Sequence, residues 1–206
     1  SVLTGKVLTG LPYVTAVVKQ LGTSCPGPQV VDAVGDAKGT ATTGTPTVND
    51  DTLDVHDVRF ATTPMGLNVT LRAKSLSALP APGASVGNLW RVSWSMGTGS
   101  RKRSFYLLAT SNGPRLQTYS GGEVVAGKDT PGSGITGTLT EGPDGAITWS
   151  VPSAAVGSPL AGAVLLDAAA ESHGSEEING TGVYFTASVD RAPDVGGGAP
   201  YIVGRC

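Results

Sequence analysis

Residues 135–151 read ITGTLTEGPDGAITWSV, and this stretch decides the fold. Apolar residues or glycine take every second position on both sides of the tetrapeptide Gly-Pro-Asp-Gly at 142–145. A period of two is typical of a half-buried strand, and Pro-Asp-Gly is typical of a tight turn. The stretch therefore predicts a β-hairpin, with Trp149 on the buried face between Ile147 and Val151.

The same alternation recurs along most of the chain. Between Val55 and Val58 it slips by one residue, which predicts a β-bulge. The one helix candidate is a single turn at Ala154–Gly157. Turn signals recur about every 8–12 residues, which predicts an all-β fold. We expect a two-sheet antiparallel β-sandwich of about nine or ten strands with almost no helix, and a jelly roll is one possible topology. The alternating segments are 53–60, 67–73, 90–96, 105–109, 163–166 and 183–189.

Composition favours one domain with many turns. The 206 residues include 30 glycines and 14 prolines, which break helices, and 39% are hydrophobic, which is enough for a core. All-β sandwiches of roughly 200–250 residues often form a single domain. We expect residues 29–206 to form that domain. Residues 1–28, which contain the apolar run Leu11–Leu21, are expected to be an N-terminal arm or an outer strand.

Charge and hydropathy exclude two classes of partner. The net charge of −2 supplies no positive field to attract nucleic acid. No stretch reaches the roughly 18–20 consecutive apolar residues of a membrane-spanning helix. We expect a secreted, extracellular protein; no signal peptide is visible in the sequence, so in that case the segment has already been removed.

Two cysteines, Cys25 and Cys206, stand near opposite ends of the chain. They match no metal motif, because a zinc site needs more ligands at shorter spacing. As a disulfide they would close a loop of about 180 residues. The lost chain entropy of the unfolded state would then stabilise the fold by no more than ~5 kcal/mol. Two unrelated thiols are the alternative, but a pair suits an oxidising compartment, and we predict the disulfide.

No catalytic residues can be assigned. Gly83-Ala84-Ser85-Val86-Gly87 fits the G-x-S-x-G pattern of hydrolases, but it lies in a proline-rich loop rather than at a strand-to-helix turn. The only histidines, His56 and His173, carry no local triad signature, and His173 sits in a polar segment that we interpret as a loop. We therefore expect a protein that is not an enzyme. A hydrolase with dispersed catalytic residues is the alternative.

Two tryptophans allow two interpretations. Trp90 and Trp94 share a strand face, because they are separated by an even number of residues. If that face were exposed, they could form a ligand-binding platform that stacks on sugar rings. Burial in the core is the competing interpretation, and we favour it because tryptophan is highly buried on average.

Aspartates cluster where the predicted sandwich begins and ends. Ca²⁺ takes six to eight oxygen ligands in flexible geometry, and carboxylates in tight glycine-containing loops can supply them. The alternative is that each aspartate caps a turn. We predict one structural Ca²⁺ site built from the residues Asp32, Asp36, Asp54, Asp190 and Asp194.

Four motifs together resemble a known group of modules. They are Asp32-Ala33-Val34-Gly35-Asp36, Leu53-Asp54-Val55, the strand from Ile147 that runs into Ala155-Val156-Gly157, and Asp190-Arg191-Ala192-Pro193-Asp194. Over roughly residues 30–205 the chain is similar to accessory β-sandwich domains, related to family 9 carbohydrate-binding modules and DOMON-like domains, that accompany exported actinobacterial proteins such as subtilisin-like proteases. The resemblance implies a β-sandwich, a structural Ca²⁺ near the N-terminal acidic loop and an extracellular setting.

These observations give a leading hypothesis and a rival. The leading hypothesis is a secreted, non-catalytic accessory or binding module, stabilised by Ca²⁺, that recognises a surface glycan or supports a partner protein domain. The rival is a structural subunit of an extracellular assembly. In that case residues 1–28 would self-associate by adding a strand to a neighbouring chain.

Overall fold

The computed structural model describes residues 27–37, 50–81, 87–177, 183–185 and 189–205. Within them, the only helical segments are two 3₁₀ turns, and the second of these, Ser153–Val156, coincides with the predicted helical turn. The first is Gly99–Arg101. The strands are β1 (Val30–Val31), β2 (Val55–Thr63), β3 (Gly66–Ala73), β4 (Ser75–Leu76), β5 (Gly87–Met96), β6 (Arg103–Ser111), β7 (Gln117–Val125), β8 (Lys128–Pro131), β9 (Thr136–Thr140), β10 (Gly142–Pro143), β11 (Ala146–Pro152), β12 (Val164–Glu177), β13 (Val183–Phe185), β14 (Asp190–Ala192) and β15 (Tyr201–Ile202).

Two antiparallel sheets pack together around a shared core. One sheet has the strand order β1-β2-β3-β11-β9. The other has the order β13-β12-β5-β6-β7-β8, and β14 and β15 also pair with β12. A small two-stranded ladder joins β10 to β4. The all-β sandwich predicted from the sequence is confirmed.

The hairpin of β9 and β11 forms as its sequence predicts. The Gly145 N–H donates to the carbonyl of Gly142 at 3.0 Å, and Asp144 adopts a positive φ of 52°, which aspartate tolerates better than most residues. Trp149 is fully buried, and its indole N–H donates to the carbonyl of Leu108 at 3.1 Å. Because Leu108 lies on β6, this bond joins the two sheets. The predicted burial of Trp149 is confirmed.

The proposed sugar-stacking platform is wrong, because both of its tryptophans are core residues. Trp94 lies between Phe60 of one sheet and Phe105 of the other, at ring-centroid distances of 5.4 and 5.8 Å. Trp90 is fully buried, and its Nε1 donates to the carbonyl of Thr52 at 3.2 Å. The face that the two indoles share is therefore the one that the opposite sheet covers.

Details of register match the sequence in one place and depart from it in another. The pairing of β2 with β3 shifts by one residue between Val55 and Asp57, which confirms the predicted bulge. His173 does not lie in a loop, because β12 continues through it and places it opposite Leu89 of β5. The polar residues around His173 extend a strand that begins with apolar ones.

Several predictions fall outside the described residues. The Cys25–Cys206 disulfide, the arm up to residue 26 and most of the G-x-S-x-G segment, residues 82–86, all lie there. In the described part of the chain, no helix is both long enough and apolar enough to cross a membrane.

Truncation of the buried indole tests its role between the sheets. We expect Trp149→Ala to lower the free energy of unfolding by about 3–5 kcal/mol, because it empties a core site. Trp149→Phe should cost less, since it keeps a ring but loses the bond to Leu108. The control is Met65→Ala, at a side chain that is 79% exposed, for which we expect a change within about 0.5 kcal/mol. Urea denaturation measures all three, and equal losses for Met65→Ala and Trp149→Ala would contradict this account.

Candidate metal centre

Three stretches of chain that are distant in sequence meet beside the start of β2. The loop after β1 is held there because the Asp32 N–H donates to the carbonyl of His56 at 3.1 Å. β14 reaches the same place because the Val55 N–H donates to Asp190 Oδ2 at 2.6 Å. Asp54, which directly precedes β2, is completely buried between them. The register of the strands thus brings acidic residues from both ends of the sandwich together.

All five aspartates predicted as metal ligands lie in this cluster. Their carboxylate oxygens form two groups of three, and within each group one oxygen from each residue lies within 4.8 Å of the others. One group is Asp32, Asp36 and Asp194; the other is Asp36, Asp54 and Asp190. Ca²⁺–oxygen distances are about 2.3–2.6 Å, so two ligands on opposite sides of one ion are separated by at most about 5 Å. Each group therefore has dimensions that fit one cation.

Backbone donors fix part of the cluster. The Gly35 N–H donates to Asp54 Oδ2 at 2.7 Å. Gly35 has a φ of 100°, a conformation that residues with a side chain rarely adopt, so glycine is needed to direct this N–H at Asp54. The backbone N–H groups of Ala33 and Asp194 partly oppose the rise in the pKa of the Asp32 carboxylate, which lies beside both the N-terminal loop and the C-terminal one.

Three buried carboxylate oxygens lack a donor. Asp32 Oδ2, Asp36 Oδ1 and Asp54 Oδ1 are inaccessible to solvent and have no hydrogen-bond partner among the described residues. A buried polar atom without a partner costs about 1–3 kcal/mol, and more when it carries charge. All three oxygens belong to residues of the two groups described above. This is the arrangement expected when a cation supplies the missing interaction.

The acidity of the cluster reflects burial and mutual repulsion. Burial raises the pKa of Asp190 to about 7, and the charges of Asp32 and Asp36 add to the shift. Burial likewise raises the pKa of Asp32 to about 6, with further contributions from Asp194 and Asp36. The pKa of Asp54 is also raised, chiefly by burial. The ionised form of the cluster is therefore unfavourable without a compensating positive charge.

Two neighbouring basic side chains, Lys74 and Arg191, bind other groups. Lys74 Nζ lies 2.8 Å from Asp51 Oδ1. The Arg191 guanidinium donates to the carbonyls of Pro193 and Gly196 and so shapes the loop that carries Asp194. In the described part of the chain, neither cation forms a salt bridge with any of the five carboxylates. The donor set is made of hard oxygen atoms, which suit Ca²⁺ or Mg²⁺ rather than softer metals.

The sequence predicts the members of the cluster but not its internal division. It gives no sign that Asp36 belongs to two groups of ligands, because that depends on how the loop after β1 folds. The role of Gly35 was also missed, although a glycine between two aspartates is a sign of a tight loop that directs N–H groups inward. The platform residues Trp90 and Trp94 lie in the core and not at a surface site.

Comparison with protein-family models, with curated proteins and with solved structures gave no match to this chain. The similarity to exported accessory domains therefore rests on the short motifs alone. The carboxylate cluster is the feature of the structure that bears on function.

The raised pKa values predict how stability depends on pH when metal is absent. The folded protein holds protons on Asp190 and Asp32 more tightly than the unfolded chain does, so their contribution is fully favourable below about pH 4 and is lost as pH rises through about 6–7. In EDTA we expect the free energy of unfolding to fall by roughly 2–4 kcal/mol between pH 5 and pH 8.

Asp190→Asn should remove most of this decrease in the free energy of unfolding, because asparagine does not ionise. Asp129→Asn is the matched control. The guanidinium of Arg91 lowers the pKa of Asp129, so this residue does not titrate between pH 5 and pH 8. Denaturant titrations across this range measure the slope. A slope in the Asp190→Asn protein equal to that of the unmodified chain would contradict the assignment.

Proposed function

We propose that the chain is an extracellular, Ca²⁺-stabilised β-sandwich that serves as a non-catalytic accessory or binding module. One observation carries the proposal. The buried Asp54 has an oxygen, Oδ1, without a hydrogen-bond partner among the described residues, and one of its carboxylate oxygens lies within 4.8 Å of carboxylate oxygens of Asp36 and Asp190. Asp190 comes from the far end of the chain and is itself only 6% exposed. Burial of several carboxylates together is sustainable when a cation binds them.

Calcium fits the donor set better than a proton or magnesium. Protons satisfy Asp190 and Asp32 only below about pH 6–7, whereas a divalent cation can do so at neutral pH. The ligands come from loops and strand ends, and Ca²⁺ accepts such irregular geometry, while Mg²⁺ requires a near-ideal octahedron. Extracellular modules commonly bind Ca²⁺ with dissociation constants of about 10⁻⁴–10⁻³ M, which is a modest demand on the site.

The role of the cation in this proposal is structural. It would join a loop near residue 34 and the start of β2 to the strand β14, which lies more than a hundred residues further along the chain. A ligand that binds only the folded state stabilises it by about 2.7 kcal/mol at a hundredfold excess over Kd. Asp54 and Asp190 are buried, so a stabilising role is the simpler one.

The partner in this proposal is a surface glycan or a neighbouring protein domain. Sugar stacking on Trp90 and Trp94 no longer supports the glycan alternative, since both are core residues. The support of a partner domain is therefore the form of the hypothesis that we favour. Strand addition by residues 1–28 stays a prediction, because residues 1–26 lie outside the described part of the chain.

Calcium should raise the melting temperature of the full chain. At a hundredfold excess over Kd we expect an increase of about 5–10 °C over the protein in EDTA, from a stabilisation of about 2.7 kcal/mol. Asp54→Asn should abolish most of this increase, because an amide oxygen is a weaker ligand. Asp129→Asn should leave the increase unchanged, because the Asp129 carboxylate lies on β8 and pairs with Arg91 rather than with the cluster. Equal melting temperatures in calcium and EDTA for the unmodified chain would sink the proposal.

The non-catalytic part of the proposal has a separate test. The calcium-loaded protein should show no turnover on panels of ester, glycoside and peptide substrates. On a glycan array, binding that is lost in EDTA would identify the glycan as the partner, and absence of binding would favour the partner domain. Hydrolysis that survives purification to homogeneity would contradict this part.

A further inference from the structure

We propose that the acidic cluster binds two calcium ions that share Asp36, an inner ion held by Asp54 and Asp190 and an outer ion held by Asp32 and Asp194. This inference rests on the proposed function and extends it, since the sequence predicts only one ion. It starts from the division of the ligand oxygens into two overlapping groups rather than one.

Each group has its own unsatisfied oxygen. Asp54 of the inner group and Asp32 of the outer group each have a buried carboxylate oxygen, Oδ1 and Oδ2 respectively, without a hydrogen-bond partner among the residues that the structure describes. Asp36 Oδ1, in the shared residue, is in the same condition. One ion placed in the inner group would leave the Asp32 oxygen without a donor, and one ion in the outer group would leave the Asp54 oxygen without one.

Charge leads to the same conclusion. One Ca²⁺ balances two of the five carboxylate charges and leaves three negative charges in a partly buried cluster, while two ions leave one. An ion bound by the inner group alone would leave the carboxylates of Asp32 and Asp194 without a cation. A bridging carboxylate is able to bind two cations at once, because it offers two oxygens with about four lone-pair directions.

The two positions differ in access to water. In the inner group, Asp54 is completely buried and Asp190 is 6% exposed. In the outer group, Asp32 is half-buried and Asp194 is exposed. The inner ion is therefore enclosed by protein and exchanges slowly. The outer ion keeps part of its water shell and binds more weakly.

Stoichiometry tests the inference directly. The full chain, stripped of metal with a chelating resin, should bind two Ca²⁺ per chain in isothermal titration calorimetry and in native mass spectrometry. Asp194→Asn should reduce the count to one, because it weakens the outer site at least about tenfold while leaving the inner ligands in place. Asp36→Asn should weaken both sites. Asp129→Asn, the matched control, should retain two ions.

The possible outcomes separate this inference from the proposed function. If the chain binds one Ca²⁺, and Asp194→Asn binds it with unchanged affinity, the second ion is ruled out and the calcium-stabilised module stands. If the unmodified chain binds no Ca²⁺, the proposed function fails with it. If Asp36→Asn weakens only one of two sites, the bridging role is wrong. A variant of the buried inner group could fail to fold. Asp32→Asn and Asp194→Asn change partly exposed positions of the outer group, so they still test whether a second ion binds.

Discussion

The hydrogen bond from the Val55 N–H to the buried Asp190 carboxylate is the interaction on which the arrangement of the chain's two ends depends. It joins residues 135 positions apart and crosses from β2 of one sheet to β14, which pairs with β12 of the other. The bulge near the start of β2 explains why this N–H is available, because the ladder with β3 is interrupted between Val55 and Asp57. The bulge in β2 and the buried Asp190 are thus parts of one structural arrangement.

Burial of the Asp190 carboxylate has an electrostatic cost, which the other acids of the cluster increase. Asp190 accepts a strong hydrogen bond, yet burial and neighbouring carboxylates raise its pKa to about 7. An uncharged residue at this position would avoid the cost but would not bind a cation. The five acids gathered here make sense as a set only if positive charge is available, so the fold and the proposed calcium dependence have the same origin.

Much of the architecture can be predicted from the sequence, because period-two alternation and turn residues are local signals. The hairpin around residues 142–145 and the bulge after Val55 are examples. Other features depend on contacts between distant residues. β7 carries Gly121 and Gly122, where a side chain would collide with the backbone of β6 and β8, so its pattern does not look like a strand. Alternation places Trp90 and Trp94 on one face but cannot tell which face the second sheet covers. The five acids were found because turns at both ends of a sandwich tend to meet, whereas the sharing of Asp36 requires the folded loop.

The position of the cluster also decides what calcium can control. The core around Trp94 holds the two sheets together through Phe60 and Phe105 and does not involve the acidic loops. The segments 29–37 and 190–199, by contrast, contain the short strands β1 and β14, which pair with β2 and β12, and they contact each other through bonds such as the Ala199 N–H to the carbonyl of Gln29 at 2.6 Å. In the proposed arrangement, loss of the cation would weaken the attachment of both segments more than the central sheets, since four of the five acids lie in these segments. A surface assembled from both ends of the domain would then exist only where calcium is abundant, which agrees with the extracellular setting proposed for this module.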